Sequence, residues 1–86
     1  MPEISRFFGI VVTMYYNDHD PPHFHARYGS QKAQFAIDDF RLLSGGLSPR
    51  VRGLVVEWAT MHQEELRGEW SAAREEKPLF PIAPLE

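Results

Sequence analysis

His23-Phe24-His25-Ala26-Arg27-Tyr28, then Gly29-Ser30, then Gln31-Lys32-Ala33-Gln34-Phe35-Ala36-Ile37, is the stretch that decides the fold of this 86-residue chain. Polar and apolar side chains alternate from His23 to Tyr28, and alternate side chains of a strand share a face. His23, His25 and Arg27 fall on one face, Phe24, Ala26 and Tyr28 on the other. Residues 32–37 alternate again, with Ala33, Phe35 and Ile37 facing one way and Lys32, Gln34 and Ala36 the other. Two such runs joined by a tight Gly-Ser turn predict a β-hairpin.

Upstream, residues 7–16 are apolar and rich in β-branched and aromatic side chains, which predicts one strand partly buried on both faces. Asn17 to Pro22 is turn chemistry. Asn and Asp side chains bond nearby amides, and Pro21 and Pro22 fix φ and give no donor. Downstream, Asp38-Asp39 turns the chain into a short segment, 40–43, that suits a fourth, edge strand, and Gly45-Gly46 ends it. Ser48-Pro49 starts a helix, with Ser as N-cap and Pro at the first helical position. That helix is expected over 49–74, with Val51, Leu54, Val55, Trp58, His62 and Leu66 along one stripe. Gly68 is the expected weak point, since glycine costs a helix roughly 1 kcal/mol. Pro78, Pro81 and Pro84 impose an extended tail over 78–86, whose Phe80 and Ile82 can dock on the body or serve a partner. The expected fold is α+β: a single domain in which a three- to four-stranded antiparallel meander packs against one long C-terminal helix.

Composition narrows the function. There is no cysteine, which excludes disulfides, thiolate zinc sites and cysteine nucleophiles and fits a reducing, cytoplasmic setting. No basic region followed by an apolar run marks a signal peptide, and no apolar stretch nears the roughly 20 residues of a membrane span. The net charge of −3 argues against strong non-specific nucleic-acid binding. It is unevenly spread, however. Residues 1–56 carry six basic and five acidic groups, and residues 57–86 three basic and seven acidic. A local basic patch from Arg27, Lys32, Arg41, Arg50 and Arg52 is compatible with the total; solvated surface charge is the plainer reading.

Three of the four histidines sit in Asp18-His19-Asp20-Pro21-Pro22-His23-Phe24-His25. Imidazole binds metals and moves protons near neutral pH. His23 and His25, two apart on one strand face with Cα atoms about 6.5–7 Å apart, can reach one small ion or substrate. His19 can fold back across the proline turn, and Arg27 continues the same face. His62 interrupts the apolar stripe of the helix between Trp58 and Leu66. A buried polar group there needs a partner, which a backbone carbonyl would satisfy. Alternatively, His62 and Glu65 lie toward the strand histidines and complete a site for zinc or another divalent ion, or for acid–base chemistry. The packing makes that difficult: if Phe24 and Ala26 face the helix, His23 and His25 face away from it.

Several segments together resemble the small bacterial domain-of-unknown-function family 4160. They are Ile4 to Ile10, Met14-Tyr15-Tyr16, Asp18 to Ala26 with its Pro-Pro-His-Phe-His run, Glu57-Trp58-Ala59, His62 to Leu66, and Trp70. The resemblance covers nearly the whole chain. It implies the toxin component of a type II toxin–antitoxin gene pair, whose partner is a cognate antitoxin encoded by a neighbouring gene. The residues matching the motif are His19, Pro21, Pro22, His23, His25, Trp58, His62 and Glu65. Three functional readings follow. In the first, a toxin-like enzyme acts on RNA or a nucleotide, with His23 and His25 as acid and base, Arg27 on phosphate, and His19, Trp58 and Glu65 as binding groups. In the second, His23, His25 and His62 hold a divalent metal such as zinc. The third is a non-catalytic module that binds a partner protein or a second copy of itself.

Overall fold

The computed structural model describes residues 2–86. Five strands, β1 (Glu3–Phe7), β2 (Ile10–Thr13), β3 (His23–Tyr28), β4 (Gln31–Ala36) and β5 (Leu42–Gly46), precede two helices, α1 (Pro49–Met61) and α2 (Gln63–Arg74). The strands pair in chain order as an antiparallel meander. The class is α+β as expected, with more strands and a divided helix.

The central hairpin follows from its alternation. Tyr28 pairs with Gln31, Arg27 with Lys32 and His25 with Gln34 around a two-residue Gly29-Ser30 loop. Gly29 takes the positive φ (+58°) that the first position of such a loop demands. The expected strand over 7–16 is instead a hairpin and a coil. Phe8 (φ +50°) and Gly9 (φ +80°) form a tight loop that pairs Phe7 with Ile10. Positive φ at both loop positions matches the twist of the flanking strands. An apolar Phe8 hid this turn: at positive φ it carries a cost of order 1 kcal/mol, offset by closure of the hairpin.

The edge strand covers Leu42–Gly46 rather than 40–43, and Gly45-Gly46 are its last two residues rather than a turn after it. Gly45, at φ +73°, pairs with Ala33 so closely that a Cβ there would collide with the Lys32 carbonyl oxygen. The glycine is spent on close strand approach, not on a turn.

Ser48 and Pro49 open α1 at the expected place, but the Ser48 side chain makes no capping hydrogen bond; its backbone amide donates to Gln31 Oε1 (2.7 Å). The helix breaks at His62, not at Gly68. There the backbone turns to φ −123°. The Gln63 side-chain Nε2 donates to the Ile37 and Asp38 carbonyls (2.9 and 3.0 Å), fixing the start of α2 to the end of β4. The two segments can then pack in different directions. From α1, Val55 and Trp58 enter the core with Phe24 and Phe35, and Trp58 lies against Phe7 and Phe24 (ring centroids 5.4 and 6.0 Å). Each such side chain contributes about 1.5–3 kcal/mol by burial. From α2, Trp70 meets His23, and the Ala73 carbonyl accepts the Asn17 amide (3.3 Å).

The proline-rich tail closes the structure. The Ile82 amide donates to the Ile4 carbonyl (2.7 Å), the Trp58 indole to Ala83 (2.9 Å), and the Phe80 amide to the buried Glu69 carboxylate. Ile82 and Leu85 are buried, whereas Phe80 is exposed. Burial pushes the Glu69 carboxyl above its ordinary value, against the Phe80 hydrogen bond, and neighbouring Glu65 adds to the rise.

The two edge glycines give a direct check on this packing. Gly45→Ala, with a positive φ and a blocked Cβ, should lose about 1–3 kcal/mol in urea unfolding. Gly46→Ala, facing open space, should stay within about 0.5 kcal/mol of wild type. Equal effects would contradict the close β4–β5 approach.

Candidate functional site

The strand register builds the site. Thr13, His25, Gln34 and Ser44 lie directly across from one another on β2, β3, β4 and β5, and Arg27 pairs with Lys32 in the next row of the same face. The opposite face carries Val12, Ala26 and Ala33 into the core. The polar face is a cup of about 440 Å³, whose lining includes Tyr15, His25, Arg27, Lys32, Gln34 and Ser44. Among the described residues neither Arg27 nor Lys32 has a carboxylate within ion-pair distance. The nearby Glu3 senses Arg27 electrostatically but pairs with Arg6 (2.7 Å). The other cations of the expected patch lie elsewhere: Arg41 pairs with Asp39 (3.0 Å), and Arg50 and Arg52 belong to α1.

At one wall of the cup the proline loop meets β3. Asp18 Oδ2 lies 2.9 Å from His23 Nε2 and 3.4 Å from His25 Nε2. His23 Nδ1–H donates to the Pro21 carbonyl (2.8 Å). A carbonyl only accepts, so Nδ1 carries a proton and Nε2 is the atom turned toward Asp18. His23 is 1% exposed, covered by Trp70 (5.2 Å). α2 holds the loop from outside as well, through Arg74 to Asp20 (3.0 Å). His25 is the half-open member of the group, with its ring against Tyr15 (4.6 Å) and His23 (5.2 Å).

Burial is the largest influence on His25 and disfavours its imidazolium. Neighbouring His23 and His19 act the same way, Asp18 pulls back, and the ring titrates below its ordinary value. Burial is also the largest single influence on Asp18, and it opposes ionisation. The His19 amide, hydrogen bonds from His25 and His23, and attraction to His23 outweigh it, so the carboxyl falls below its ordinary value. A neutral imidazole beside an ionised carboxylate can accept a proton or offer a lone pair to an ion.

Of the residues singled out in the sequence, His23, His25 and Arg27 share a face as expected. His19 joins them at the edge, exposed, its ring 5.5 Å from His23 and its Nδ1 2.9 Å from Asp18 Oδ1. His62 stands apart: its Nδ1–H donates to the exposed Glu65 (2.6 Å), its ring lies against Trp58 (5.7 Å), and no contact ties it to His23 or His25. Trp58 is fully buried in the core. Sequence reading passed over Asp18 as a turn residue, although a carboxylate five residues before His23 in a turn is placed to fold onto it. Lys32 was legible as Arg27's partner once Gly29-Ser30 is taken as a two-residue loop. Trp70 gave no signal beyond the resemblance.

A family model described as Domain of unknown function (DUF4160) matches residues 9–71. No curated protein and no solved structure matches the chain.

The depressed titration of His25 has a consequence for stability. The unfolded state takes up this proton more readily than the folded state, so the contribution is complete above the unfolded value near 6.5 and is lost as pH falls through and below it. His25→Gln, followed by urea unfolding between pH 7.5 and 5, should lose less stability on acidification than wild type. Parallel pH profiles would show that His25 is not held neutral by burial.

Proposed function

The chain belongs to the DUF4160 family of domains of unknown function, and we propose that it is a toxin-like protein that holds the phosphates of an RNA or nucleotide in the cup on its open sheet face. The toxin-like role rests on the family resemblance set out above. The ligand class rests on one observation: Arg27 and Lys32 stand side by side on β3 and β4 without a carboxylate partner, in the same concavity as His25. Two adjacent unpaired cations are suited to phosphate oxygens. Tyr15 offers an aromatic ring for a base at the same wall.

The acidic total does not oppose this reading. The excess of carboxylates belongs to residues 57–86, which form most of the helices and the tail, whereas the cup belongs to the sheet. Within the cup His25, not the enclosed His23, meets the ligand. His23 and Asp18 set the orientation of His25 from behind. The tail is a weaker candidate for partner binding, because Ile82 and Leu85 are already used inside the fold.

Binding of a fluorescent single-stranded RNA, measured by polarisation across a salt series, tests the reading. Arg27→Ala/Lys32→Ala should weaken binding at least tenfold and make the salt slope shallower by about 1.4, from two lost contacts at about 0.7 each. Induced expression of the wild type should arrest growth, and His25→Ala should relieve the arrest. Undiminished RNA binding by the double variant would remove the cup as the ligand site.

A further inference from the structure

We propose that Asp18, His23 and His25 form a three-ligand site for a divalent ion of the zinc class, through Asp18 Oδ2 and the Nε2 atoms of both histidines. Their ligand atoms all lie within 4.8 Å of one another. Donors placed 2.0–2.1 Å from a tetrahedral ion stand about 3.3 Å apart. The two separations from Asp18 Oδ2, 2.9 and 3.4 Å, straddle that figure.

A second observation concerns His23 alone. Its side chain is enclosed, and the Pro21 carbonyl commits a ring proton to Nδ1. In the neutral ring the Nε2 lone pair then meets a carboxylate oxygen that is itself only an acceptor. Two acceptors at 2.9 Å repel unless a positive centre lies between them, either a second proton or a metal ion. A backbone carbonyl on the far nitrogen is the outer support that fixes metal-binding histidines in other proteins. Two imidazoles and one carboxylate favour zinc and its neighbours over magnesium or calcium, which prefer all-oxygen shells.

The set differs from the one read in the sequence: Asp18 takes the place of His62, which is occupied with Glu65. Ion binding itself does not depend on the ligand proposed for the cup. Its use there rests on that reading. His25 belongs both to the ion's shell and to the cup wall, so the ion would stand beside the bound phosphate, suited to polarise a phosphoryl oxygen or to activate a water.

Titration of the untagged full chain with zinc by calorimetry, and with cobalt by visible absorption, tests the site. One equivalent should bind, and cobalt should give the absorption of a low-coordinate site. Asp18→Asn and His25→Ala should each weaken zinc by more than the 10–100-fold typical of losing an outer partner. His62→Ala should bind as wild type does. Should His23→Ala fail to fold, the other two ligand variants, checked by circular dichroism, carry the test. Binding of less than one-tenth of an equivalent, or binding that survives both ligand variants or is lost in His62→Ala, overturns the site. RNA affinity is read separately: zinc bound without RNA removes the proposed function and leaves the ion site, and RNA bound without zinc does the reverse.

Discussion

Strand β3 must satisfy two environments at once, and the rest of the structure is arranged around that constraint. Its period of two sends Phe24 and Ala26 into the core and His23, His25 and Arg27 to the other side. A one-residue slip in pairing would exchange the two sets and bury a guanidinium in place of a phenyl ring. The tight Gly29-Ser30 loop and the apolar demand of Phe35 across from Phe24 hold the register. The polar row is therefore as firmly placed as the core.

The polar row would be only a solvated sheet face without two additions. The proline loop folds back so that Asp18 reaches His23 and His25, and α2 covers His23 with Trp70. Covering His23 raises the energetic stake of its hydrogen bonds, because a buried ring nitrogen without a partner costs about 1–3 kcal/mol. The break at His62 makes the cover attainable. On either side of the break, α1 serves the core through Trp58 and α2 serves the loop through Trp70.

The histidines thus divide into separate roles. His23 is an enclosed support, His25 a half-open group at the cup, His19 an exposed neighbour of Asp18, and His62 the helix joint bonded to Glu65. The four share a residue type and little else, and their differences come from burial and from which acceptor each nitrogen meets. The charge pattern is uneven as well, with Arg27 and Lys32 on the cup face and most carboxylates on the helices and tail.

Local pattern alone determined the β3–β4 hairpin and the face shared by His23, His25 and Arg27, through alternation, and the start of the helix, through Ser48-Pro49. These depend on neighbours in sequence and on the fixed periods of strand and helix. The turn at Phe8-Gly9, the place of Gly45-Gly46 inside β5 and the helix break at His62 were decided by packing. Phe8 accepts an unfavourable φ to close a hairpin, Gly45 yields to a strand carbonyl, and Gln63 bonds the end of β4. The site divides along the same line. Its strand residues were readable, but Asp18 joins them, and His62 does not, for a reason no local pattern carries. Loop closure and helix direction set which side chains meet, and both are fixed only when the whole chain is packed.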